Sequence, residues 1–238
     1  MDIASPDWEN LITEGAKTFN IHVDRQAVRQ FGIHARELIK WNKKVNLTAI
    51  VDPREVAFKH FLDSIIPARW IPPTSSLLDV GSGGGFPGIP LKILIPSLAV
   101  TLIDGSRKKI NFLKHIIRTL QLRDIDACQI RAEELAKDSD GASRFTVIIS
   151  RALSSWEAFV RLALPLLAEQ GMIIALTGDM DQQGVDGLRT TVFEKILSST
   201  NDRHRFSLVL ENYKLPVIFS KRSILIMRKT SRALCDFG

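Results

Sequence analysis

Cysteine is almost absent from this sequence. Cys128 and Cys235 are the only two, with neither metal-ligand spacing nor a pairing pattern, which excludes a disulfide framework and a cysteine-built metal site. Cys128 lies in an apolar run, and both read as bland thiols. No stretch approaches the ~20 uninterrupted apolar residues that a spanning helix requires. The N-terminus, MDIASPDWEN, is acidic and lacks the basic-then-apolar order of a signal peptide, so we expect a cytosolic chain without membrane attachment. The sequon Asn46-Leu47-Thr48 then has no use, because glycosylation needs secretion. Internal repeats and low-complexity tracts are also missing. What is present is a modest basic excess: 32 Lys plus Arg against 26 Asp plus Glu, a net charge of +6 and a pI near 9.5. That balance favours a polyanionic partner, while a plain solvated basic surface accounts for it equally well.

At 238 residues the chain can bury a full core. Apolar residues at Trp8, Leu11, Ile12 and Phe19 predict a first helix. Asp24 caps a second, in which Ala27, Val28, Phe31, Ala35, Leu38, Ile39 and Trp41 recur near the helical period. Asp52-Pro53 starts a third that runs through Val56, Phe58, Phe61, Leu62 and Ile65. Ile71 to Ser76 is the one stretch with linker composition, so we expect an N-terminal helical cap over residues 1–73 and a second unit over 74–238.

Beyond that point strand and helix patterns alternate. We expect strands at Leu77–Val80, Leu98–Ile103, Ile125–Ile130, Phe145–Ile149 and Met172–Leu176, with helices at Ile89–Leu94, Lys108–Leu120 and Ser155–Ala168, the last closed by Gly171. Val185 to Leu197 reads as a final helix. This alternation predicts an α/β fold with a mostly parallel sheet covered by helices on both faces. Phe206–Leu215 and Ser223–Arg228 are joined too tightly for a crossover helix and should pair antiparallel at the sheet edge.

The chain is organised around Leu77 to Leu91, LLDVGSGGGFPGIPL, with five glycines within the eight residues from Gly81 to Gly88. A strand, a glycine loop and a short helix in that order bring backbone N–H groups to one place, and an anionic or strongly polar ligand is expected there. Two registers are open. Gly83 to Gly88 satisfies the G-x-G-x-x-G of nicotinamide or flavin dinucleotide sites, but late, since the strand ends at Val80. Read from Asp79 the string is D-x-G-x-G-x-G, which resembles motif I of the class I S-adenosylmethionine-dependent methyltransferases. Asp79 favours the second register, because an acid before the loop attracts a cationic amino group and repels a pyrophosphate. Asp104 ends the second strand, where a carboxylate accepts ribose hydroxyls in either reading.

Taken together, WNKKVNLTAI at Trp41–Ile50, KHFLDS at Lys59–Ser64, DVGSGGGFPGIPL, LID at Leu102–Asp104 with Lys108-Lys109, RAEE at Arg131–Glu134 and ISRA at Ile149–Ala152 resemble the RsmG (GidB) family over nearly the whole chain. The resemblance implies a class I methyltransferase sheet, here with a helical cap, and transfer of a methyl group from S-adenosylmethionine to N7 of a guanine in bacterial 16S ribosomal RNA near the decoding centre. It also implies cofactor contacts by Gly81 and Phe86 in the loop, by Ala132 and Glu133 after the third strand and by Arg151 after the fourth; Asp79, Gly83 and Asp104 complete the set we expect. Each has a plainer alternative: Glu133 as a helix cap, Arg151 as a partner of Asp79 or Glu133, Phe86 as core. A nicotinamide-dependent oxidoreductase and a non-catalytic RNA-binding assembly protein are the rival readings.

Arg107, Lys108 and Lys109 open a helix whose dipole they oppose, and an RNA phosphate beside the cofactor mouth would explain them. For the RNA-facing set we expect Asn46, His60, Lys108, Lys109 and Arg222, although His60 on its own reads as a structural histidine bonded to Asp63. The partner would be 16S ribosomal RNA or the small subunit, met by a monomer. Guanine N7 carries no proton, so no general base is required, and we find neither an Asn-Pro-Pro-Tyr-like motif nor a proline-flanked cysteine. One position departs from the family's usual Ala-Leu-Lys-Gly: this chain reads Ala175-Leu176-Thr177-Gly178.

Overall fold

The structure is a computed structural model and describes residues 1–135, 137, 144–151, 155–180, 184, 186, 187 and 205–230. Apart from Asp186 and Gly187, which are helical, the predicted last helix lies outside these residues, as does Cys235. Helix α1 (Pro6–Lys17) starts two residues earlier than the apolar pattern indicates, because the Ser5 hydroxyl accepts from the Trp8 N–H and Pro6 occupies the first turn. Helix α2 (Arg25–Asn42) is capped as expected, with Asp24 Oδ1 accepting from the Ala27 N–H at 2.7 Å. The third predicted helix is four consecutive pieces: α3 (Pro53–Glu55), a π-helical segment Val56–Leu62, α4 (Asp63–Ile65) and a 3-10 turn Ile66–Trp70. The wide π turn rotates the face that Phe58, His60 and Phe61 present, so His60 and Phe61 are both buried.

Strands β1 (Ser76–Val80), β2 (Ala99–Asp104), β3 (Ile125–Gln129), β4 (Phe145–Arg151), β5 (Leu167–Thr177), β6 (Arg205–Lys214) and β7 (Lys221–Thr230) form one sheet in the order β3-β2-β1-β4-β5-β7-β6. The first five run parallel; β7 is antiparallel to β5 and to β6, which is the expected edge hairpin. Helices α5 (Gly88–Leu94) and α6 (Arg107–Thr119) share an apolar cluster with the cap helices on one face, while α8 (Trp156–Ala163), with Ala132 of α7 (Ala132–Leu135), belongs to the cluster on the other. Leu77 belongs to the first cluster and Leu78 to the second, the alternation of a strand buried on both faces.

Three sequence expectations change. Helix α8 ends at Ala163 rather than Ala168, because Pro165 has no N–H to extend it and sits in the 3-10 turn Leu164–Leu166. Gly171 therefore closes no helix: it lies within β5, where the pairing with β4 jumps from Phe145–Leu167 to Val147–Met172. Ile71, expected in a linker, is buried in the core shared by cap and sheet. Cys128, despite its apolar neighbours, faces solvent on the edge strand. Among the described residues no helix is long and apolar enough to cross a membrane.

Candidate functional site

The loop after β1 spends six of its seven N–H groups, all but that of Gly84, on the protein itself. Those of Gly81 and Ser82 donate to the Ile103 carbonyl, those of Gly85 and Phe86 to the Ser82 carbonyl, that of Gly83 to Asp104 Oδ2 at 3.2 Å and that of Gly88 to Asp79 Oδ2 at 2.8 Å. The start of α5, expected to meet an anionic ligand, is thus occupied by the chain's own carboxylate. A pyrophosphate finds none of these six donors free, which removes the basis of the dinucleotide register. Gly81 is the opening in this wall. Its φ of +72° is unfavourable for any residue with a Cβ, and nothing lies within 4 Å of where that Cβ would stand. Gly88, by contrast, is a packing glycine, since a Cβ there would collide with Leu102 and stand 2.7 Å from Asp79 Oδ2.

Asp79 is fully buried, and its Oδ1 has no hydrogen-bond partner among the described residues. Burial pushes its carboxyl up to about 7, against the opposing pull of the Gly88 N–H and the Arg151 charge. At the end of β2, Asp104 holds the loop in place: Oδ1 accepts from the Ser106 N–H at 2.8 Å, and Oδ2 takes Gly83 together with Lys109 Nζ at 3.5 Å. Lys109 in the first turn of α6 is therefore a partner of Asp104, not a free phosphate contact, while Lys108 beside it is exposed. Ala132 is buried at the start of α7 and Glu133 is exposed there, both just past the carboxyl end of β3.

The Phe86 ring is sandwiched. His34 stacks on it at 4.8 Å between centroids and His60 at 4.5 Å, with Phe61 edge-on at 5.3 Å and the Arg151 guanidinium 5.0 Å from the ring centre. With 4% of its surface exposed, Phe86 joins loop to cap. Both histidines are held neutral by burial, His34 lowered to about 4 and His60 to about 2, the latter also by the nearby Arg151 charge. His34 bonds the Gly84 carbonyl through Nε2 at 2.8 Å.

Arg151, at the end of β4, donates to the Lys59 carbonyl at 2.7 Å and to His60 Nδ1 at 3.2 Å, rather than pairing with Glu133 or hydrogen-bonding Asp79. A guanidinium only donates, so Nδ1 accepts, Nε2 carries the proton, and that N–H donates to Thr48 Oγ1 at 2.8 Å. Asn42 completes the chain by accepting from the Leu47 and Thr48 N–H groups and donating to the Thr48 carbonyl. His60 does not bond Asp63. Its two nitrogens are committed to this relay, which leaves neither for RNA. Asn46 lies exposed at the turn of the same loop with φ +24°.

Beside Arg151 a cavity of about 590 Å3 opens between the cap and the carboxyl ends of β4 and β5, closed by β7. Lys59, His60, Asp63, Arg151, Trp156 and Arg222 line it, with Thr177 where the family resemblance anticipates a lysine. Asp63, expected only as a partner of His60, and Tyr213, which no sequence feature marks, meet here: the Tyr213 O–H donates to Asp63 Oδ1 at 2.6 Å, and Arg222 Nε stands 3.8 Å from the same oxygen. The only sequence signal was the place of Asp63 in KHFLDS; nothing marks Tyr213, whose neighbour across 150 residues is set by the fold.

Sheet order, antiparallel β7, the acid before the glycine loop and the acid ending β2 define the class I S-adenosylmethionine-dependent methyltransferase fold. The structure superposes on an O-methyltransferase from Bacillus cereus in complex with SAH with a TM-score of 0.59 at 16% identity, covering 92% of this chain and 97% of that one. The family model for GidB, rRNA small subunit methyltransferase G, matches residues 27–204. Relatives named ribosomal RNA small subunit methyltransferase G from Geotalea uraniireducens and Geobacter metallireducens are 37% and 38% identical, each over 94% of this chain and 97% and 98% of their own lengths. The chain belongs to the GidB family.

Proposed function

We propose that the chain transfers the methyl group of S-adenosylmethionine to N7 of a guanine in 16S ribosomal RNA near the decoding centre. The observation that carries the cofactor assignment is the contrast within one loop: six of its seven N–H groups are spent internally, while Asp79 keeps a buried oxygen without a partner among the described residues. Such a site suits a cationic ligand, so the residues fit the aminoacyl sulfonium and oppose a pyrophosphate. We assign Asp79 to the cofactor's ammonium, Gly81, Gly83 and the Phe86 main chain to its close approach, and Asp104 to the ribose through lone pairs that Gly83 and Ser106 leave free. Ala132 and Glu133 would flank the base, and Arg151 the side shared with the cavity. Bound there, the cofactor supplies an electrophilic methyl group: the N7 lone pair forms the new C–N bond, the C–S bond breaks with its electron pair left on sulfur, and the guanine becomes cationic.

The chain's own work is then orientation and electrostatics, since N7 has no proton to remove. The acceptor would enter the cavity beside Arg151, with exposed Lys43, Lys44, Asn46 and Lys108 available to the RNA backbone and Arg222 in the cavity wall. We read residues 1–73 as the cap and 74–238 as the methyltransferase unit, acting in the cytoplasm as a monomer. The test incubates the protein with labelled S-adenosylmethionine and either unmodified small-subunit particles or naked 16S RNA, then maps N7-methylguanine by chemical cleavage. A single cleaved guanine is the expected result; label on another base, or on protein or small molecules only, overturns the reading.

A further inference from the structure

The cavity beside Arg151 is lined by three cations, Lys59, Arg151 and Arg222, and among the described lining residues by one acid, Asp63. That acid is 3% exposed. Its Oδ1 accepts from Tyr213, and its Oδ2 takes no hydrogen bond from the described residues. Next to it, Arg222 Nε forms an ion pair with Asp63 Oδ1 at 3.8 Å, outside hydrogen-bond range, and is buried without a hydrogen-bond partner among the described residues. An unfilled acceptor and an unfilled donor therefore stand side by side on one wall, held from different elements, α4 and β7. Leaving the buried Arg222 Nε unpaired costs about 1–3 kcal/mol, so a ligand that accepts from Arg222 and also donates to the open Asp63 Oδ2 is favoured over one that does neither.

We propose that Asp63 and Arg222 read the Watson–Crick edge of the acceptor guanine, Asp63 accepting from N1–H and the 2-amino group and Arg222 donating to O6. This deepens, and rests on, the guanine-N7 reading above. On guanine, O6 and N1–H are neighbours with the 2-amino group next in line, an acceptor beside two donors; adenine presents a donor beside an acceptor and would set like against like on both residues. The chemistry also suits the reaction. An enzyme that holds guanine by this edge leaves N7, on the other side of the ring, free to meet the methyl group. As N7 acquires the methyl group, the base gains positive charge and its N1–H becomes more acidic, so the bond to the Asp63 carboxylate strengthens in the transition state. Tyr213 acts through Asp63 and is a positioning residue.

The test compares a short RNA carrying the mapped target as guanosine with the same RNA carrying inosine, which keeps N1–H and O6 but lacks the 2-amino group. Wild-type protein should prefer guanosine by roughly 10- to 100-fold in kcat/KM, the worth of one hydrogen bond to a charged group. In Asp63→Asn that preference should shrink to about threefold or less, with S-adenosylmethionine affinity by calorimetry held within about threefold. Tyr213→Phe, which keeps the carboxylate, should retain the preference. Equal use of inosine and guanosine by the wild type overturns the assignment without any variant, as does an Asp63→Asn protein that keeps the wild-type ratio. Label on a base other than guanine would instead overturn the parent reading, and this one with it.

Discussion

The two halves of the site are built by opposite means. At the ends of β1 and β2 the parts are close in sequence: Gly88 reaches Asp79 across 9 residues and Gly83 reaches Asp104 across 21. The shape there is a property of the backbone, of glycines and of N–H groups turned inward. At the ends of β4, β5 and β7 the parts come from far apart, Arg151 to His60 across 91 residues and Tyr213 to Asp63 across 150, and the shape depends on side chains the cap delivers. A cofactor common to many acceptors needs the first kind of site; an acceptor peculiar to one enzyme is better served by the second, which changes with the cap and hairpin without disturbing the loop.

Phe86 belongs to both halves, so its loss should have the largest effect. Phe86→Ala removes a ring held between His34 and His60 and beneath Arg151, and should cost about 3–5 kcal/mol of unfolding free energy in urea, with cofactor and RNA activity falling together. A cost below about 1 kcal/mol would show that cap and loop do not share this seam.

Gly81→Asp separates the halves. It places a side chain into the space beside the loop at φ +72° and adds a charge next to Asp79, so affinity for S-adenosylmethionine should fall about 100-fold or more, roughly 2.7 kcal/mol. The melting temperature should move by only a few degrees, because no packed atom is displaced. Unchanged affinity in calorimetry would mean that the cofactor does not approach Gly81.

The same division explains what could be read from the sequence. Asp24, Asp52 and the strand–loop–helix around Asp79 announce themselves, because each depends on neighbours within a few residues, and the edge hairpin follows from its short connection. The stacking of Phe86 between histidines 52 and 26 residues upstream has no local signature, and neither has the committed relay of His60. The pairing of Lys109 with Asp104 is hidden from the sequence for the same reason in miniature: Asp104 lies before a turn whose direction only the fold defines. Pro165 is a local stop signal that the apolar period around it masks.

The pH dependence sharpens the cofactor half. Asp79 is raised from 3.8 to about 7, so near pH 5.5 it is mostly protonated and neutral. A cationic ligand prefers the carboxylate, and binding must release that proton. Affinity for S-adenosylmethionine should therefore rise with pH, on the order of tenfold between pH 5.5 and 7, then level off. Asp79→Asn should bind more weakly and show a flat profile over the same range. For folding the sign is opposite: the raised carboxyl favours the folded state while protonated, and that contribution is lost as pH rises from about 4 to 7. A wild-type affinity that does not change with pH, measured at constant ionic strength, would remove Asp79 from the ammonium site.

Tyr213→Phe should have the smallest effect and tests the independence of the halves most directly. It deletes one hydroxyl that donates to Asp63 at 2.6 Å and leaves the ring edge-on to Phe19 at 5.9 Å. The loss leaves Asp63 Oδ1 without a hydrogen bond from the described residues, which should lower stability by about 1 kcal/mol, near the net worth of one hydrogen bond. Burial already raises the Asp63 carboxyl, and the Tyr213 hydroxyl opposes that rise, so without it the protonated fraction grows and the RNA reaction should lose rate most on the acid side. Cofactor affinity should stay within about twofold, because no atom of the β1 loop bonds Tyr213 or Asp63. If affinity falls in step with the RNA reaction, the two halves are one coupled site, and the acceptor cavity is not free to vary apart from the loop.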